Sequence, residues 1–290
     1  MSSYELYNVS FTDLSPLCQY NPYRDGAIDS SWTITYPDGD ARVSLPSFTN
    51  AYTTYLEGAS VDIQWVGTAV WVYGQANLSQ YEVQTSWGSG TVLGEGTSSA
   101  GGLLYSQQGL NYGPQSISLI ALSGPVTIQN VIVTVGMGDL GTSLETRNVS
   151  AVTGSDSDLE VNPYFTISSE AGWLAEYDYG GDGLTENYPR IETGTPGAWV
   201  SFNVSTAVAV AIYGSLRYDQ GGYSVNIDPA PPLWSNTTFQ LNATLPWLVR
   251  NELKFLATGL DRTQNYTINL TNREAGLNVA QVVLYDAPPA

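Results

Sequence analysis

Aromatic rings and carboxylates stand side by side at two places in the chain. Trp32, Tyr36, Asp38 and Asp40 make the first group, and Trp173, Tyr177, Asp178, Tyr179 and Asp182 the second. Such rings stack on the C–H faces of sugars while carboxylates and amides take the hydroxyls, so both groups are candidate glycan-binding loops. A further pair, Trp71 and Tyr73 in "VWVYG", alternates with Val70 and Val72. On a strand that turns the valines inward, the two rings share the other face. They then form a sugar platform, or they lie under a neighbouring element. Any one of these aromatics, read singly, is equally a core plug or a loop anchor.

Other chemistry is narrowed by what the chain lacks. With no histidine, a single cysteine and a single lysine, Lys254, it can build neither a Ser-His-Asp triad, nor a Cys-His pair, nor an imidazole metal site. The Gly-rich "GSGTVLGEGTSSAGG" has no Lys-Ser/Thr to cradle a phosphate and reads as a surface loop. Carboxylates remain, and a glycosidase needs two of them across a cleft; Glu57, Glu82, Glu170 and Glu186 are the candidates, but chain spacing does not set a separation across a groove. Asp178, Asp182 and Glu186 in "DYGGDGLTE" have the oxygen ligands calcium prefers, with Asp38 and Asp40 as a counterpart. The alternative there is a solvated acidic turn, and calcium at such a place braces a loop rather than catalysing. No motif calls for another cofactor.

The 290 residues carry 27 acidic against 9 basic side chains, a formal charge of -18, which opposes binding to nucleic acid or anionic lipid. Charged residues make up only 12%, so solubility rests on neutral polar groups, as in secreted all-β proteins. Asn-X-Ser/Thr recurs at Asn8, Asn77, Asn148, Asn203, Asn236, Asn242, Asn265 and Asn269. In "NYTINLTN" the acceptors alternate with Tyr266, Ile268 and Leu270, so a strand that buries the apolar set points the asparagines at water. These features imply an N-glycosylated protein outside the cell or on its surface. "MSSYELYNVS" lacks the segments of a secretory leader and no apolar run is long enough to span a bilayer, so the chain reads as a trimmed ectodomain with no membrane insertion of its own. Cys18 has no intramolecular partner and is a buried thiol or an intermolecular one.

The elements that must position these groups repeat. "GASVDIQWVG" returns as "GAWVSFNVST", placing Val61, Ile63 and Trp65 opposite Val200, Phe202 and Val204. Val70, Val72 and Gly74 match Val210, Ile212 and Gly214; Tyr81 and Val83 match Tyr223 and Val225; "TIQNVIV" matches "NVAQVVL". Alternation of period two dominates and no helical period persists, so the expected class is all-β, two tandem antiparallel β-sandwiches. Their expected extents are residues 1–140 and 159–290, joined by a linker at 141–158 that is rich in Gly, Ser, Thr and Asp.

With "FTDLSPLCQYNP", Trp32, "GASVDIQWVGTAVWVYG" and "SISLIAL" in that order, the chain resembles the tandem galactose-binding-like, jelly-roll domains of fungal, mushroom-type secreted or single-span surface glycoproteins. The resemblance implies the sandwich fold and carries no catalytic residues. The leading expectation is therefore non-catalytic recognition of a carbohydrate or cell-wall glycan. A structural spacer or self-associating coat protein, using homotypic contacts, is the alternative, and a carboxylate glycoside hydrolase the third. Because Trp65 and Trp71 stand where the second copy has Val204 and Ala211, and five of the sequons fall in that second copy, the partner surface is expected within residues 1–140.

Overall fold

A segment that alternates Val61, Ile63 and Trp65 with Asp62 and Gln64 can bury only one of its faces, which favours a strand in a two-layer sandwich over a helix. The structure, a computed structural model, describes residues 4–35, 51–77, 79–88, 91–93, 102–155, 158–169, 172–178 and 188–288. Among them there is no α-helix. Contacts divide the chain into two units, the first drawn mainly from residues up to Gly136 and the second mainly from Met137–Ala290.

The first unit contains β1 (Tyr4–Thr12), β2 (Gln19–Asn21), β3 (Thr33–Thr35), β4 (Ala51–Thr54), β5 (Ser60–Gly67), β6 (Ala69–Gln75), β7 (Tyr81–Thr85), β8 (Thr91–Leu93), β9 (Gly102–Gln107), β10 (Gly113–Ala121) and most of β11 (Val126–Asp139). A six-stranded sheet runs β3-β4-β11-β6-β9 with β1 also on β11, and a five-stranded sheet runs β2-β5-β10-β7-β8. Val70 and Val72 on β6, Val131 and Val133 on β11, Val61 and Ile63 on β5, and Ile117 and Leu119 on β10 are all buried. Each such side chain contributes about 1.5–3 kcal/mol by leaving water.

The second unit repeats this plan. Its strands are β12 (Glu145–Ser150), β13 (Val152–Ser155), β14 (Asp158–Val161), β15 (Thr166–Ile167), β16 (Leu174–Asp178), β17 (Tyr188–Thr193), β18 (Trp199–Val204), β19 (Ala209–Leu216), β20 (Gly222–Asp228), β21 (Thr238–Asn242), β22 (Val249–Thr258), β23 (Tyr266–Asn272), β24 (Leu277–Val279) and β25 (Gln281–Asp286). The five-stranded sheet β15-β18-β23-β20-β21 has the order of its counterpart in the first unit. The other layer is divided into β16-β17-β24 and β12-β25-β19-β22. The division falls at Ala280, and β11 has a register shift at the matching place, between Ile128 and Asn130. The all-β, antiparallel sandwich class read from the sequence is the class observed. Residues 141–158, expected to form a linker, hold β12 and β13, and β12 pairs with β25 from Glu145↔Asp286 to Ser150↔Gln281. An edge strand exposed on most of its length has the same polar composition as a linker, which is why the two read alike.

Both units carry the same bulge in the strand beside β6 or β19. Val72 and Tyr73 face Tyr105 and Leu103, leaving Leu104 over; Ile212 and Tyr213 face Phe255 and Leu253, leaving Lys254 over. A tyrosine from the opposite sheet pins each extra residue. The Tyr81 hydroxyl donates to the Leu104 carbonyl at 2.5 Å and the Tyr223 hydroxyl to the Lys254 carbonyl at 2.7 Å. Tyr223→Phe leaves that buried carbonyl short of a donor and is expected to lower the unfolding free energy by about 1 kcal/mol, with Tyr81→Phe doing the same in the first unit. Urea titration checks this, and unchanged midpoints in both variants would mean the hydroxyls do not hold the bulges.

Candidate functional site

The outward phase of β6 carries Trp71 and Tyr73, both half-buried, while Val70 and Val72 between them are fully enclosed. The pairing registers extend that face sideways in two rows, Ile132–Trp71–Ser106 and Asn130–Tyr73–Leu103. Leu103 is 43% exposed. Along the β1 side, the Ser10 hydroxyl donates to Asn130 Oδ1 at 3.1 Å and the Thr134 hydroxyl to Asn8 Oδ1 at 2.7 Å. These rows place two rings and two aliphatic side chains among hydroxyls and amides, with no formal charge. Such a face offers stacking for apolar sugar surfaces and neutral hydrogen bonds for hydroxyls.

The equivalent face of the second unit is closed. Ala211 stands where Trp71 does and is 1% exposed, with Val283 and Leu256 as its row partners. Tyr213, one row away, hydrogen-bonds through its hydroxyl to Tyr285 in the row on the other side. A tryptophan at Ala211 would fill the space between them. Burial, with Tyr285 and Glu252 adding to it, pushes the Tyr213 hydroxyl up to about 12.

The remaining sequence candidates fall differently. Trp32 is fully enclosed, its indole N–H donating to the Asn21 carbonyl at 3.1 Å and its ring 5.0 Å from Tyr20. Trp173 is 3% exposed. Each stands one residue before a short strand, on the inward phase with Ile34 or Ala175, so neither presents a ring face to a sugar. Tyr177 shares the inward phase of Trp173 and is half-buried. Trp65 is also a core residue, packed edge-on against Trp87 at 5.9 Å. Tyr36, Asp38, Asp40, Tyr179, Asp182, Glu170 and Glu186 lie outside the described residues, and the proposed calcium set therefore does too, Asp178 being placed only as a backbone position in β16. Glu82 lies on the outward face of β7 and accepts from Gln84 at 3.2 Å; Glu57 is exposed in a turn. Cys18 is buried, its thiol 3.8 Å from the Thr12 carbonyl.

One cluster escaped the sequence reading. Glu176, Arg190 and Glu192 share a face of β16 and β17, with Glu192 opposite Asn278 on β24. Arg190 is 1% exposed and donates to Glu192 at 2.5 Å and to Glu176 at 3.0 Å. Arg217 grips Asp219 with two bonds of 2.6 Å and reaches Glu192 at 3.3 Å; Gln220 donates to Glu192 at 3.4 Å. Beneath them the fully buried Lys254 donates to the Asn278 carbonyl at 3.0 Å and sits 5.2 Å from the Tyr223 ring. In the first unit the same positions are Thr53, Thr127 and Leu104, with the two threonine hydroxyls 2.9 Å apart. Glu176 and Glu192 share one guanidinium, so their lone pairs serve an internal ion network instead of facing one another across an open groove as a glycosidase pair must. Among the described residues no group of three or more His, Cys, Asp and Glu is arranged to hold a metal. The available signal was a lone lysine between Leu253 and Phe255 in "ELKFLAT", but nothing in the chain order joins it to Arg190.

Burial is the main cause that lowers the Lys254 ammonium from 10.5 to about 7; Glu192 opposes the shift and Arg190 adds to it. Between those values the unfolded chain holds a proton that the folded chain has released, so stability rises with pH there, and below about 7 the full penalty is present. Lys254→Met is expected to flatten the rise in melting temperature between pH 7 and about 9, a range below tyrosine ionisation. Equal slopes for both proteins would place the lysine pKa elsewhere.

No family model matches the chain, and no curated protein matches it. Among solved structures it is similar to a Paenibacillus xanthan lyase, at 14% identity and TM-score 0.32 over 89% of this chain and 25% of that one. It is also similar to the tandem CBM22-1–CBM22-2 domain of Paenibacillus barcinonensis Xyn10C, at 9% identity and TM-score 0.29 over 100% and 99%. A fucolectin from striped bass (Morone saxatilis) serum follows at 11% identity and TM-score 0.21 over 83% and 86%. The chain spans about a quarter of the lyase's length. At these identities and TM-scores the likeness carries no statement about function. The class defined by the strand order is an all-β chain of two antiparallel β-sandwich units.

Proposed function

We propose that this chain is a non-catalytic glycan-recognition protein acting outside the cell or at its surface, with its contact surface on the outward face of the six-stranded sheet in the first unit. The observation that carries the reading is the uncharged platform of Trp71, Tyr73, Leu103 and Ile132, bordered by Ser106, Asn130 and Thr134. A carboxylate ligand or a phosphate would find no cation among these row residues, whereas a neutral sugar finds both stacking area and hydroxyl partners. Support for an extracellular setting comes from the acceptor asparagines. Asn8, Asn77, Asn148, Asn203, Asn236, Asn242 and Asn265 are exposed and Asn269 is half-buried. In Asn203, Asn236 and Asn269 the side-chain oxygen is the atom that accepts, from Thr267, the Thr238 N–H and Thr271 respectively, and the nitrogen is the atom a glycan would use.

Screening protein prepared without N-glycans against neutral oligosaccharides tests the reading. Trp71→Ala is expected to weaken binding about tenfold or more, a loss of about 1.4 kcal/mol, with urea stability kept near wild type. An array with no binder, together with assembly that grows with concentration in light scattering, would replace this reading with the self-associating coat.

A further inference from the structure

Two of the sequons are the same tripeptide at the same structural position. Asn8-Val9-Ser10 lies on β1, which borders β11, and Asn148-Val149-Ser150 lies on β12, which borders β25 in the matching place. Asn148 pairs directly with Val283, so its side chain shares the outward face with Val283, Ala211 and Leu256. Asn8 is tied to the corresponding face of its own unit by Thr134, and Ser10 by Asn130. Thr134, Ile132 and Asn130 are outward residues of β11, and the next strand over carries Trp71 and Tyr73. Two strand spacings, about 10 Å, therefore separate the Asn8 acceptor from the tryptophan row. The Thr134 bond engages Asn8 Oδ1 and so fixes the amide at the edge of the platform.

The two positions differ in what they overlook. Beyond Asn8 the aromatic face is open, with Trp71 and Tyr73 half-buried and Leu103 exposed. Beyond Asn148 the face is closed by Tyr213 and Tyr285 on either side of the buried Ala211. We propose that an N-glycan on Asn8 lies across Trp71 and Tyr73 of the same unit and occupies the recognition face in cis, while a glycan on Asn148 projects into solvent. This rests on reading the face as a sugar-binding one. A tethered sugar meets its site at an effective concentration in the millimolar range, so it competes with free ligand without needing high intrinsic affinity. Recognition of an external glycan then depends on the processing of the Asn8 chain.

The test uses the protein secreted from glycosylating eukaryotic cells. Glycopeptide mass spectrometry establishes occupancy at Asn8 and Asn148, and timed digestion of the native protein with an endoglycosidase compares release at the two positions. Release at Asn8 is expected to be at least about tenfold slower than at Asn148, and Trp71→Ala is expected to bring it up to the Asn148 rate. Asn8→Gln is expected to tighten binding of a free neutral oligosaccharide relative to the glycosylated wild type. An unmodified Asn8, equal release at the two positions, or slow release that persists in Trp71→Ala would each overturn the cis contact. Absence of oligosaccharide binding by Asn8→Gln and by unglycosylated protein would overturn the recognition reading instead, whatever the digestion rates.

Discussion

A β-strand offers two faces at a spacing of two residues, and a two-layer sandwich claims one of them completely. In both units the claimed phase is the same: Val61 and Val200, Ile63 and Phe202, Val70 and Val210, Val72 and Ile212 are all enclosed between sheets. What distinguishes the outer faces of the two units sits on the other phase or at a break in the ladder. The open platform of Trp71 and Tyr73 and the closed one of Ala211, Tyr213 and Tyr285 are two ways of furnishing a face that the core does not need. The alanine makes room for a tyrosine–tyrosine hydrogen bond, and the tryptophan takes that room for itself.

The bulge beside β6 and β19 is the second place where the copies part. An extra residue in a strand is free of the ladder and turns into the interior, so its side chain is decided by the core rather than by alternation. Leucine there continues the apolar packing of the first unit. Lysine there brings an amine into a site where burial, the main cause, lowers its pKa to about 7, and the surroundings change with it. Where the first unit pairs Thr53 with Thr127, the second sets Glu192 opposite Asn278 and links Glu192 to Arg190 and Arg217. A buried charge network of this kind costs desolvation that hydrogen bonds offset only when every member is held. Glu192 accepts from Arg190, Arg217 and Gln220 at its centre.

The neutral polar faces have a related logic. Outside the core of β18, β20 and β23 the chain places Ser201, Asn203, Asn226, Thr267 and Asn269, with Asn269 opposite Ser201 and Asn226 and Thr267 opposite Asn203. Two of these are glycan acceptors by sequence. Bulky glycans on Asn203 and Asn269 would keep another sheet from lying against this face.

The duplication, the all-β class and the inward residues of the long strands were readable from the chain, because period two is a local property and both copies repeat it. The same reasoning correctly set Trp71 and Tyr73 on one outward face and the acceptor asparagines away from the core. Trp32 and Trp173 were misplaced as loop rings because they precede strands too short for alternation to reveal, and β12 was taken for a linker because an edge strand and a linker share a composition. The Glu192 network and the Tyr213–Tyr285 bridge were invisible for a different reason. Each joins residues from strands that are not consecutive in the chain, and alternation says which way a side chain points but not which strand lies beside it. Neighbours across a sheet are chosen by long-range pairing, and that choice belongs to the tertiary structure.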